Sequence, residues 1–177
     1  MGLVVVGLIK VRLGRRERAL TIMLAFMASL AITLAGALSS MSTSEAQGIS
    51  KEVEETLPCL MSVSAIFGNN FMHCLIMFIP VLGPFYAFYV LYSTGRVLAA
   101  LAIVRGINPG ALFGLTFLFP HAWIEYAAYA LAISQSVWLV LGIAQRRLKA
   151  EAKNTGISIA VCALLLLSAA AIEMALL

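Results

Sequence analysis

From Ala19 to Leu38 the chain runs for about 20 residues without a charge, enough for a helix rising 1.5 Å per residue to cross a bilayer core of about 30 Å. Predominantly apolar stretches follow from Pro58 to Pro80, from Phe85 to Val104, from Ala111 to Gln145 and from Thr155 to Leu177, the last three each holding one charged residue. Backbone polar groups in lipid must bond within their own segment, so apolar runs of this length constrain the chain to membrane helices. Composition agrees: 62% of the 177 residues are hydrophobic and 11% charged, against about a quarter charged in a soluble domain. The expected fold is an all-α membrane protein, a polytopic bundle forming one integral membrane domain.

The charges orient it. Lys10, Arg12, Arg15, Arg16 and Arg18 precede the first span, and Arg146, Arg147, Lys149 and Lys153 precede the last. Positive residues flanking spans mark the cytoplasmic side. Residues 1–18 therefore form a basic cytoplasmic segment, and the net charge of +4 is no argument for nucleic acid. The polar segment 39–57, with four Glu against one Lys, falls outside, and its length leaves room for a short helix of its own. Pro80-Val81-Leu82-Gly83-Pro84 makes the next cytoplasmic turn and Arg105–Gly110 the next external one. The 34 apolar residues from Ala111 are too many for one crossing, and Pro120 divides them. One long helix broken at Pro120 gives five spans, with the N-terminus in and the C-terminus out. A re-entrant piece over 106–119 followed by a full crossing gives a sixth membrane segment. The order of apolar and charged residues at the N-terminus is the reverse of a cleavable signal peptide, and Val6 stands where a myristoylation motif needs Ser or Thr.

Gly106, Gly110 and Gly114 recur every four residues, as do Ala128 and Ala132, a spacing expected to serve tight packing within the molecule. Cys59, Cys74 and Cys162 lack metal or redox spacing and read as packing residues, Cys59 alone being placed to pair between chains. Tyr86, Tyr89 and Tyr92 along the third span, and Trp123 and Trp138 beside the fourth, suit packing and interfacial anchoring.

Against this background the polar residues inside the spans stand out. Asn69 and Asn70 fall halfway along the second span, with His73 one turn on and on the same face. His121 and Glu125 share a face of the fourth span at a similar reckoned depth, near the midplane. Polar groups at such depth usually face a bundle interior. The expectation is one hydrogen-bonded cluster of Asn69 or Asn70, His121 and Glu125 between two helices. A lone carboxylate there must be protonated or compensated by a cation, for which His121 and Arg96 are the candidates. Arg96 can equally reach the outer surface. His73, His121 and Glu125 would suffice on paper for a metal, but no HExxH spacing exists and no metal or other cofactor is expected. Glu173, near the chain's end, should meet external water.

The elements Ile66-Phe67-Gly68-Asn69-Asn70 and Pro120-His121-x-x-x-Glu125, in this order, resemble the stage II sporulation protein M family, over about residues 63–145. Ala122 stands where the family has Gly, and Thr94-Gly95 where it has an Asn-Gly pair. The resemblance implies a five- or six-span bundle without chemistry of its own, whose namesake is similar to a scaffold for membrane partners. The expected role is a non-enzymatic scaffold or accessory subunit in the cell membrane, homo-oligomeric or joined to other membrane subunits. The alternative is a transporter or channel for a proton, ion or small solute.

Overall fold

A computed structural model describes residues 14–176, and the described residues form seven helices and no strand. They are α1 (Arg15–Ala37), α2 (Thr43–Leu60), α3 (Val63–Met77), α4 (Leu82–Val104), α5 (Pro109–Thr116), α6 (Pro120–Ala144) and α7 (Leu148–Leu176). Of these, α1, α4, α6 and α7 are long and apolar enough to cross a membrane. The expectations for Lys10, Arg12 and Leu177 lie outside the described residues.

Side-chain caps set several boundaries. Ser42 Oγ accepts the Glu45 amide at 3.2 Å and opens α2. Ser62 does the same for Ala65 at 3.2 Å and opens α3, and Asn108 Oδ1 accepts the Ala111 amide at 3.1 Å ahead of Pro109. Each satisfies one of the amides that a helix start leaves without an internal partner. Gly106, at φ 67°, closes α4: its amide bonds to Ile103 O while the Ile107 amide reaches Ala102 O.

Three expectations change. The second span, foreseen as continuous over 58–80, is divided. Pro58 is accommodated in the last turn of α2, the helix stops at Leu60, and α3 restarts at Val63. A proline lacks an amide and ends the pattern within a turn, here just after itself rather than before. The polar segment does hold a helix, since α2 begins inside it. The stretch from Ala111 to Gln145 is broken at Pro120 as expected, but into a short α5 and a separate α6 rather than one long helix: Pro120 takes the first position of α6, and α6 alone is about 37 Å long. The last helix starts at Leu148 rather than Thr155 and so takes Glu151 into the bundle.

α6 is central and the most deeply buried of the four long apolar helices. It packs on α7, α1, α3 and α4, and its Ala128, Ala130 and Ala132 are wholly enclosed. A close approach of two long helices' backbones lies elsewhere, between α1 and α4. A Cβ at Gly36 would run into the Tyr92 carbonyl, and one at Gly95 into the Thr33 carbonyl and the Ala37 amide. In contrast, nothing lies within 4 Å of a Cβ built at Gly106 or Gly114. Of the glycine stripe expected to pack, Gly106 is a turn residue and Gly114 lies on an open face, while Gly110 alone meets a side chain from another helix's end, Leu38.

Charge is segregated along the bundle. Arg15, Arg16, Arg146, Arg147 and Lys149 gather where α1 begins and α6 meets α7, whereas Lys51, Glu52, Glu54 and Glu55 stand exposed on α2 at the opposite end. These are called below the basic and the acidic end.

Candidate functional site

α3 and α6 bring two of the expected residues into direct contact. Asn70 Nδ2 donates to Glu125 Oε1 at 2.6 Å. Asn69 lies beside them, its amide 3.4 Å from Asn70 Oδ1. Asn69, Asn70 and Glu125 line one cavity of about 220 Å³, together with Leu57, Met61, Ile66 and Glu173. Leu57, Met61 and Ile66 form its apolar wall, and the hydrogen bond to the Glu125 carboxyl comes from Asn70. An unmatched buried polar group costs about 1–3 kcal/mol, which gives the Asn70 contact its weight.

The other expected members sit apart. His121 makes no hydrogen bond to Asn70 or Glu125: its Nδ1 is buried without a partner, and its ring stacks on Phe119 with centroids 5.8 Å apart. The reason is the helix start. With Pro120 and His121 opening α6, His121 belongs to the first turn and Glu125 lies only about 8 Å along a helix of about 37 Å, so neither is at its middle. His121 faces a second cavity, of about 300 Å³, with Phe119, Leu112, Leu115, Thr116, Glu173 and Leu176. His73 points away from both and meets the Tyr86 hydroxyl at 2.6 Å. Arg96 pairs with Glu45 of α2 and donates to Ser39 Oγ at 3.1 Å, so it is no counter-ion for Glu125. The metal set His73, His121 and Glu125 is dispersed, and among the described residues no three His, Cys or acidic side chains are grouped closely enough to hold an ion.

Two features escaped the sequence reading. Glu173 borders both cavities and places a second carboxyl beside the Asn70–Glu125 pair. Only the packing of α7 against α3 and α6 brings it there, and no local spacing announces that. The second is a polar network at the basic end. Arg18 Nη2 donates to both oxygens of Glu151, at 2.6 and 2.7 Å, and Glu151 is 2% exposed. The Arg18 guanidinium also stacks over Trp138, 4.7 Å from its ring centre. Trp138 Nε1 donates to Thr21 Oγ1 at 2.7 Å, Thr21 meets Ser134 at 2.8 Å, and Gln135 Nε2 reaches Thr155 Oγ1 at 3.1 Å. Gly142 leaves room for the Glu151 stem. This network ties α1, α6 and α7 together. Arg18 announced topology in the sequence, and its partner waited on the α6–α7 turn.

Four long apolar helices packed into one bundle define a helical membrane protein. The family model for Stage II sporulation protein M matches residues 19–175, and the chain belongs to that family. No curated protein and no solved structure matches it.

Proposed function

We propose that this chain is a non-enzymatic scaffold or accessory subunit of the cell membrane. It has five membrane helices (α1, α3, α4, α6 and α7), its N-terminus in the cytoplasm and its C-terminus outside. It works as a homo-oligomer or with other membrane subunits. The observation that carries the reading is the state of α2. A polar stretch of this kind could be a loose loop, but α2 is a capped helix held on the bundle. Arg96 grips Glu45 at its start, and Ala46 and Ser50 are buried beneath it. Its other face presents Lys51, Glu52, Glu54 and Glu55 to solvent. A fixed, charged surface costs a partner less ordering than a flexible segment does. The test is a photo-crosslinking amino acid at Glu54 in native membranes, compared with one at lipid-facing Phe88. A scaffold gives discrete protein adducts at residue 54 that disappear when Glu52 and Glu55 are replaced by Lys.

A second reading, transport of a proton, cation or small solute, draws on the cavity in which Glu125, Glu173, Asn69 and Asn70 meet. Intramembrane ionisable residues often mark ion paths. Vesicles carrying the purified protein or its Glu125→Gln variant separate the two: flux that the substitution abolishes supports transport.

A further inference from the structure

The turn between α3 and α4 is apolar over an unusually long run. From Leu75 to Phe85 no side chain carries a charge or a hydrogen-bonding group. Nevertheless its apolar side chains point outward, Val81 being 57%, Leu82 62% and Phe85 73% exposed. The α6–α7 turn, at the same end of the bundle, has Gln145, Arg146 and Arg147 instead.

The turn also stops short. Ser136 Oγ donates to Ile79 O at 2.8 Å, and Gly83 lies against the same serine, so the tip is level with Ser136 of α6. Ser136 is about 13 Å from Gln145 along that helix. A second register agrees. α1 and α4 run side by side with Gly36 facing Gly95, which sets Leu82 level with Met23, about 12 Å above Arg15. Both measures leave the tip inside the layer bounded by the exposed arginines. α3, at 15 residues, is about 22 Å long and too short to cross the core alone.

Irregular backbone is tolerated at membrane depth only where protein satisfies it. Among residues 78–83 every amide but that of Val81 meets this condition. The amides of Phe78 and Ile79 bond to Leu75 O and Ile76 O, those of Leu82 and Gly83 bond to Pro80 O and Ile79 O, and Pro80 has none to satisfy. Ile79 O takes the serine hydroxyl as well. Val81 is held at φ 68°, a costly conformation for a β-branched residue, so the tight turn is fixed by its surroundings.

We propose that α3 and α4 form a re-entrant hairpin that enters from the acidic side, with Val81, Leu82 and Phe85 in contact with acyl chains of the opposite leaflet. The tip does not emerge into the cytoplasm. α1, α6 and α7 are then the full crossings, which preserves the placement of both termini. This inference rests on the orientation proposed above.

The test uses the full chain with Cys59 replaced by Ser, the two buried cysteines kept, and single cysteines at Val81, Leu82, Arg147 or Glu54. Oriented membranes are treated with a membrane-impermeant maleimide, and nitroxide-labelled samples are probed with oxygen and a water-soluble nickel complex. Position 147 should label only from the cytoplasmic side and position 54 only from outside. Positions 81 and 82 should resist labelling from both sides, react in detergent, and collide with oxygen in preference to nickel. Labelling of 81 and 82 from the cytoplasm at the rate of 147 would overturn the hairpin. So would spin–spin broadening at 81 that dilution with unlabelled protein removes, because a second copy would then cover the tip. Labelling of 147 from outside would overturn the orientation while leaving the hairpin's own result readable.

Discussion

Adding one methyl group at Gly95 tests the packing account. A Cβ there would overlap the Thr33 carbonyl and press on the Ala37 amide and Gly36 Cα. All three are backbone atoms, which cannot rotate aside as a side chain could, so α1 and α4 must separate. Overpacking of this kind costs about 1–3 kcal/mol. Alanine in place of glycine returns up to about 1 kcal/mol of helix propensity. The net expectation for Gly95→Ala is a loss of about 1–2 kcal/mol, a factor of about 5–30 in the folded-to-unfolded ratio. Gly114→Ala is the control: it also lies within a helix, but its Cβ meets nothing within 4 Å. It should match or slightly exceed the parent protein. Reversible unfolding in mixed micelles, with denaturing detergent titrated against a mild one, measures both. Gly36→Ala with Gly95→Ala should cost less than the sum of the singles, since one separation of the helices relieves both clashes. A Gly95→Ala protein as stable as the parent, or a Gly114→Ala protein equally weakened, would refute the α1–α4 crossing.

Other expectations follow from the polar contacts. Asn70→Ala should destabilise by about 1–3 kcal/mol by leaving the Glu125 carboxyl without its amide, whereas Glu125→Gln should cost less in the same unfolding assay because the shape is kept. Glu151→Gln and Arg18→Met should each destabilise. Their double-mutant cycle should return a coupling of about 0.5–3 kcal/mol, reduced by added salt only weakly because Glu151 is buried. His73→Phe and Tyr86→Phe should behave as a pair with shared cost, since each removes the same 2.6 Å contact, and thermal melting of the singles and the double checks this.

How far the sequence reveals the molecule differs from feature to feature. Long apolar runs are decisive for helices, because lipid leaves the backbone no other partner, and α1, α4, α6 and α7 could be read from them. Helix breaks were less legible. Pro120 opens a helix and Pro58 is absorbed near the end of one, and the proline alone does not say which. That ambiguity shifted His121 from a supposed midplane to the first turn of α6, and dissolved much of the cluster built on equal depth. The Asn70–Glu125 contact belongs to the cluster expected from shared depth and helical-face spacing, and it forms although His121 does not join it. Glu173 and Glu151 were not, because both depend on the register of α7 against α6, which tight small-residue packing sets over many contacts. The glycine spacing 106–110–114 misled because spacing does not tell a packed face from an open one. Gly36 and Gly95, without any such spacing, make the close approach.

The most direct test of the scaffold account is the crosslinking experiment on α2, run in parallel with reconstituted flux. The account predicts discrete protein adducts from a photo-crosslinker at residue 54, lost when Glu52 and Glu55 become Lys, and no flux from vesicles of the purified protein. Absence of adducts at residue 54, together with ion or proton flux that Glu125→Gln abolishes, would contradict it and assign the polar cavity to transport.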